Sequence, residues 1–571
     1  MKLFRFAACF LAAWLPLLVA GCLPPGEKPT APSSPPSASP ASRPAAKQPE
    51  SGGFTRQELA GAESGRAKLV FEVHSLADLR QPAEPLDREV YGHHDDNPVK
   101  RVAEHPVSTF GVDVDTGAYA NVRRMLLAGR LPPRDAVRVE EMINYFDYAY
   151  PRPEGTGAPF RVQTEIAPAP WNPRTHLLRI GIQGEDISRD RLPPANLVFL
   201  VDVSGSMMPP EKLPLLKSAL KLLTQRLRPE DRVSLAVYAG ASGVVLEPTP
   251  GDRHGAILAA IEQLQAGGST NGGAGIRLAY ALAEKAFIPE GINRVILATD
   301  GDFNVGTVSF EALKDLVAEK RKGGVSLTTL GFGTGNYNDR LMESLADVGN
   351  GNYHYIDTLN EARKVLDEEM ASTLYVIARD VKLQIEFNPR VVAEYRLIGY
   401  ENRVLQREDF ANDQVDSGDI GAGHRVTALY EIALQGSGGE RIEPLRYGAD
   451  KPQSAKGADE LAFLRIRYKR PAEEQSRLLE RPIRSSAMNP DLASASPAFR
   501  FAAAVAGFGQ MLRGGQHTGP LTFPEVERLA RGAGQPDPYG YRAEFVKLVR
   551  LAQALSTQEK LSAGPEAAPV R

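Results

Sequence analysis

One stretch constrains the fold more than any other. Residues 196–203 read NLVFLVDV, a nearly unbroken apolar run of strand length. A strand that is apolar on both faces must be covered on both faces, as a central strand of a parallel sheet is. The run closes on Asp202-Val203-Ser204-Gly205-Ser206-Met207, and a helical pattern follows over 211–227. Strand, short polar loop and helix place Asp202, Ser204 and Ser206 at the carboxyl end of the strand, the edge where open α/β sheets bind ligands. Carboxylate and hydroxyl oxygens are hard donors that suit magnesium, manganese or calcium. A DxSxS run alone is a weak signal, because Asp and Ser also cap helices.

Two later loops strengthen it. Gly267-Gly268-Ser269-Thr270-Asn271-Gly272-Gly273 precedes a small-residue helix over 274–286. Residues 294–299 (RVILAT) form a second buried strand, ending in Asp300-Gly301-Asp302-Phe303-Asn304. DxSxS, a distant Thr and a strand ending in TDG resemble the metal-ion-dependent adhesion site of von Willebrand factor type A (VWA) domains. The resemblance implies a metal site formed by Asp202, Ser204, Ser206, Thr270 and Asp300, with none missing. The residue types suit that task. Neutral hydroxyls coordinate without cancelling the metal charge, so the cation stays electron-poor and keeps a position for a carboxylate from outside. Magnesium is the first choice, with manganese or calcium as alternatives. Asp302 and Asn304 are read as loop-shaping, because Asx side chains favour turns. Around the site, strands over 232–238, 325–330 and 352–356 alternate with helices over 256–264, 310–322, 340–348 and 359–370, which fits a doubly wound sheet. In VWA relatives the closing helix can shift when the metal site is occupied.

The N-terminus reads as a targeting segment. Lys2 and Arg5 precede an apolar stretch over 6–20, which suits a signal-peptide core better than a spanning helix. It ends Leu17-Leu18-Val19-Ala20-Gly21-Cys22, which resembles a bacterial lipobox with Cys22 as the lipidated first mature residue. Residues 24–53 are rich in Pro, Ser and Ala and cannot bury a core, so they are expected to form an extended tether. Leu23 rather than Asp follows the cysteine, which by resemblance to lipoprotein sorting favours the outer membrane, facing the periplasm.

The flanks extend the likeness. Residues 107–124 (VSTFGVDVDTGAYANVRR), Leu131-Pro132-Pro133 and Val139-Glu140-Glu141-Met142-Ile143-Asn144-Tyr145-Phe146 resemble the N-terminal region of YfbK-like bacterial VWA lipoproteins. That family carries no settled activity. Residues 110–114 alternate like a short strand, and Asp115 or Thr116 is expected to cap the helix that runs to Leu127. Glu140 and Glu141 are read as complementing a helix dipole, and His93-His94-Asp95-Asp96 as a solvated loop. Strand-like segments at 160–166 and 177–182, then at 381–387, 393–400, 426–433 and 461–468, suggest one β-sandwich with the VWA domain inserted between its strands. The C-terminal segments 498–512, 523–531 and 541–555 read as helices.

The expected fold class is therefore α/β: a doubly wound, Rossmann-like VWA domain inserted in a β-sandwich, with helical N- and C-terminal regions. The expected organisation is 1–22 signal peptide with lipobox, 23–53 tether, 54–157 mixed helical region, and 158–195 first sandwich strands. Then come 196–371 VWA domain, 372–472 second part of the sandwich and 473–571 C-terminal helices.

Composition excludes several functions. The chain has 571 residues and a formal net charge of −3, with nothing that points to nucleic acid. Cys9 and Cys22 are its only cysteines, so neither a disulfide scaffold nor a Cys-based zinc site is available. No HExxH, Gly-x-Ser-x-Gly elbow or P-loop is present, so an enzyme and a small-molecule substrate are not expected. The favoured reading is a lipid-anchored envelope protein that grips an Asp or Glu of a protein partner through the cation. The alternative is a structural or assembly factor of the envelope in which the metal only stabilises.

Overall fold

The computed structural model describes residues 88–155, 157–269, 272–301, 309–443, 445, 459–534 and 536–562. The signal segment with Cys22, the tether, Thr270, Asp302 and Asn304 lie outside the described residues. The N-terminal part contributes β1 (Lys100–Arg101), β2 (Val107–Gly111), α1 (Gly117–Leu127) and α2 (Val139–Asn144). Next come β3 (Phe160–Ala169) and β4 (Asn172–Gly184).

The α/β domain follows. Its strands are β5 (Ala195–Asp202), β6 (Arg232–Tyr238), β7 (Ser242–Pro250), β8 (Ile292–Thr299), β9 (Ser326–Phe332) and β10 (Tyr353–Ile356). They lie in the order β10-β9-β8-β5-β6-β7, all parallel except β7, which pairs antiparallel with β6. Every residue of β5 and β8 is buried, which explains their unbroken apolar runs. Two apolar layers cover the sheet. One holds α3 (Leu213–Thr224) and α4 (His254–Glu262); the other holds α5 (Gly272–Lys285), α6 (Phe310–Lys322) and α7 (Asp339–Val348). The closing helix is broken rather than continuous: α8 (Leu359–Arg363), a π-helical turn (Lys364–Glu368) and α9 (Met370–Leu374). The antiparallel β7, which alternates half-buried and exposed residues, had no expected counterpart.

After α9 come β11 (Val376–Phe387), β12 (Val392–Ile398), β13 (Ile420–Gly421), β14 (Arg425–Leu434), β15 (Glu460–Lys469) and β16 (Arg477–Arg484). Two antiparallel sheets result. One runs β1-β12-β14-β4-β3 and the other β13-β11-β15-β16, with β2 paired to β11. A common apolar core joins them, with Ile166, Ile180 and Tyr430 on one side and Phe110, Leu383 and Ile466 on the other. Strands from before and after the α/β domain thus share a sheet, β4 lying directly against β14. The N-terminal region is not a unit of its own: β1 and β2 extend the two sheets, while α1 and α2 pack on the C-terminal helices. Those helices are α10 (Pro497–Leu512), α11 (Phe523–Arg531) and α12 (Tyr541–Ser562). Among the described residues no helix is long and apolar enough to cross a membrane.

Buried charge ties these parts together. Arg138 pairs with Glu141, Asp339 and Glu343, and Arg403 with Asp113, Asp115 and Asp347. This corrects two expectations. Neither Asp115 nor Thr116 caps α1 through its side chain. The α1 N-terminus is instead satisfied from α2, where Glu141 Oε2 accepts from Ala118 N at 2.7 Å. Asp115 Oδ1 accepts from Tyr353 N at 2.9 Å, which ties it to β10. Glu140 and Glu141 are wholly buried, so their surroundings and not a solvated dipole set their charge.

Six carboxyls around two guanidiniums are more than the cations can neutralise. Burial, the leading cause, pushes Glu141 up to about 7 and Glu343 up to about 8. In the unfolded chain both titrate near 4.3. Between those limits the folded chain holds more protons than the unfolded one, so stability falls as pH rises. Two buried histidines act oppositely lower down: burial pushes His354 to about 3 and His424 to about 4, so they titrate mainly below pH 6.5. The clean window is pH 6.5 to 8.5. We expect the melting temperature to fall across it, each withheld proton contributing about 1.4 kcal/mol per pH unit. Glu343→Gln should flatten the slope, because its amide oxygen can still accept from Asn402, as Glu343 Oε1 does. A melting temperature that rises over this window, or an unchanged slope in the variant, would refute the account.

Candidate metal centre

The chain leaves β5 for β6 on one side of the sheet and returns to β8 on the other, so a crevice opens where β5 and β8 end. Asp202 is the last residue of β5 and Asp300 follows β8 directly. Both are fully buried. Asp202 is held by three donors. Ser204 N donates to Oδ1 at 2.9 Å; the Thr299 hydroxyl (2.9 Å) and the Tyr238 hydroxyl (3.1 Å) donate to Oδ2. Burial pushes the Asp202 carboxyl up, the Ser204 and Thr299 donors pull it down, and the nearby Asp300 charge adds to the rise.

The loop after β5 turns through a short 3-10 turn, Gly205–Met207, which sets the Ser204 and Ser206 hydroxyls side by side at 3.0 Å. The glycine loop before α5 is fastened to it by backbone bonds: Gly205 N donates to Gly268 O at 3.0 Å and Gly267 N to Val203 O at 2.8 Å. Of the five expected ligands, the fold therefore brings Asp202, Ser204, Ser206 and Asp300 to one crevice, and the segment leading to Thr270 is anchored beside it.

A residue that sequence reasoning missed completes the crevice. Lys212, 4% exposed, sends its Nζ to Asp300 Oδ2 at 2.9 Å and to Asn336 Oδ1 at 3.1 Å. Asn336 Nδ2 in turn donates to Asp300 Oδ2 at 3.3 Å. The lysine stem crosses Gly333, whose φ is +77° and where a Cβ would lie 2.1 Å from Lys212 Cε. Two independent constraints, a left-handed backbone and absent space, therefore hold that position to glycine. A signal existed in the sequence. A lysine at the N-terminal end of a helix opposes the helix dipole, so it needs another partner. Tyr238 and Thr299 carried a weaker one: Thr299 adjoins Asp300, and Tyr238 stands opposite Asp202 in the parallel register.

The donor set fits a hard divalent cation. Two carboxylates and two adjacent hydroxyls converge, and an ammonium already occupies cation-binding distance of one carboxylate. Among the described residues no three His, Cys, Asp or Glu side chains gather as an alternative ligand set. His93 is hydrogen-bonded to Asp135 and Asp96 pairs with Arg513, while the His93 and Asp95 side chains lie exposed to solvent. A cavity of about 250 Å³ lies elsewhere, against the N-terminal end of β8, and is lined by Arg294, Arg403, Asp419 and His424. Beside the crevice Met208 is 66% exposed, an apolar side chain at the rim of a polar site.

Comparison with known proteins follows the same division of the chain. Residues 196–368 match the von Willebrand factor type A domain, 372–555 the C-terminal family of uncharacterized protein YfbK, and 85–179 a von Willebrand factor family. The chain is 49% identical over 473 residues to uncharacterized protein YfbK of Escherichia coli (strain K12), covering 82% of this chain and 81% of that one. It is 27% identical over 311 residues to an uncharacterized protein of Synechocystis sp., covering 54% of this chain and 69% of that one. A solved von Willebrand factor type A structure from Catenulispora acidiphila is similar at TM-score 0.39 and 16% identity, covering 70% of this chain and 91% of that one.

Proposed function

Because the chain belongs to the YfbK family of VWA-domain proteins, we propose that it is a lipid-anchored envelope protein that binds a protein partner through a divalent cation. VWA domains often mediate protein binding. The observation that carries the finer reading is the convergence of Asp202, Asp300 and the paired Ser204 and Ser206 hydroxyls where β5 and β8 end. Those four side chains, with Thr270 from the adjoining loop, would hold magnesium, or manganese or calcium in its place. Bound there, the cation supplies a charged, orientation-specific contact for an Asp or Glu of the partner. The chain's own residues do the rest. Tyr238 and Thr299 fix the Asp202 carboxylate, and Met208 offers an apolar contact beside it. No reaction is proposed: the sequence carries no HExxH, Gly-x-Ser-x-Gly or P-loop motif.

Capture of partners from solubilised envelopes, with and without a chelator, tests this reading. Partners retained equally in both would turn the assignment to the alternative, an assembly factor in which the cation only stabilises.

The anchor is proposed on Ala20-Gly21-Cys22 and the Pro-, Ser- and Ala-rich segment behind it. Cys22→Ala is expected to release the protein from membranes or to block its processing, as fractionation would show. A variant that is processed and still fully membrane-bound would overturn the anchor. The outer membrane, periplasmic face, is the proposed location.

A further inference from the structure

We infer that Lys212 is a resident cation that weakens the site for metal alone and makes metal and acidic ligand bind together. This rests on the metal-centre reading above. Lys212 is not a surface lysine that happens to lie near a carboxylate. It is buried, its Nζ is shared between Asp300 and Asn336, and the fold leaves Gly333 without a side chain so that its stem can pass.

Charge explains the consequence. With both aspartates ionised, the three buried side chains Asp202, Asp300 and Lys212 together carry one net negative charge. A divalent cation turns that into one net positive charge, which a buried site tolerates poorly. A carboxylate from a partner then restores neutrality. Without Lys212, metal alone would neutralise the site and the carboxylate would add an uncompensated negative charge. The lysine thus shifts the neutral, favoured state from the metal complex to the complex of metal and ligand. Such linkage is reciprocal: whatever the acid adds to metal affinity, the metal adds to acid affinity.

The test uses the mature chain, manganese as probe, and titration in chloride and in acetate at equal ionic strength. Lys212→Met and Lys212→Gln remove the charge; Lys212→Arg keeps it. Both neutral variants are expected to bind manganese at least tenfold more tightly than wild type in chloride. Acetate should tighten manganese binding in wild type and Lys212→Arg, and not in the neutral variants. A residue with a merely structural role would weaken binding when replaced, not tighten it. If wild type binds manganese, Asp202→Ala does not, and the neutral variants bind no more tightly than wild type, the inference fails and the metal centre stands. If no variant binds manganese, the metal centre itself fails, and the inference with it. Should the neutral variants not fold, the wild type still decides: equal manganese affinity in chloride and acetate would overturn the coupling.

Discussion

Ser206→Ala is expected to weaken magnesium or manganese binding by about tenfold or more, roughly 1.4 kcal/mol, and to abolish partner capture while leaving the fold intact. The serine is half-buried, and its one side-chain bond is to the neighbouring Ser204 hydroxyl. Its loss should therefore cost no more than about 0.5 kcal/mol of stability, as at an ordinary surface position. Asp202→Ala should also abolish metal binding, but less cleanly. It removes the acceptor of Ser204 N, Thr299 Oγ1 and Tyr238 OH in a buried site. Each donor left without an acceptor costs about 1–3 kcal/mol. Loss of capture by Asp202→Ala alone would thus confound a missing cation with a loosened loop. The measurement is a manganese titration, a melting curve in chelator and an envelope capture for each variant. Chelator removes the stabilisation that comes from metal binding itself. If Ser206→Ala and chelated wild type both keep their partners, the cation is incidental to recognition.

The α/β core was legible because burial on both faces leaves short, unbroken runs rich in β-branched residues and bounded by turn residues. β5 and β8 were readable to within a residue or two, as was α6; its Ser309 cap is seen only in the structure. The edge strand β7 was not, since a strand wet on one side and short of large apolar residues looks like a loop. The closing helix was read as one piece because its apolar spacing runs through the π-helical turn without a glycine or proline to mark it. The aspartates and serines of the site stood out because their spacing is fixed by one short loop. Lys212 did not, since its partner Asp300 is far away in sequence, and only the fold brings the two together. The same holds for the cluster around Glu141: its pair with Arg138 is local, but Ala118 and the Asp339 that shares Arg138 are brought to it only by the fold. Local pattern fixes elements and loops; charges paired across domains must be seen in space.

Arg123→Ala should be the most destabilising single change among the ion pairs. Arg123 is buried, and its guanidinium donates to Asp357 at 2.7 Å, Glu361 at 2.7 Å, the Tyr145 hydroxyl at 3.0 Å and Glu544 at 3.0 Å. These partners lie after β10, on α8, after α2 and on α12, so one side chain clamps the α/β domain to both termini. Truncation takes the shared guanidinium from the buried Asp357 and Glu361 side chains, and breaking a buried pair in this way costs about 3–5 kcal/mol. Arg123→Lys should recover only part, because a single ammonium cannot present the planar fork that serves several carboxylates at once. The partners differ in exposure, and that gives the decisive comparison. The Glu544 side chain is 35% exposed, so Glu544→Ala should cost about 1 kcal/mol or less. Urea denaturation of the three variants should therefore rank Arg123→Ala far below Glu544→Ala, with Arg123→Lys between. Limited proteolysis should show α12 cut first in Arg123→Ala, since its contact with α1 is lost at the clamp. Equal losses for Arg123→Ala and Glu544→Ala would mean that the buried carboxylates find water once the arginine is gone. The clamp would then be a rim contact and not the joint between domain and termini.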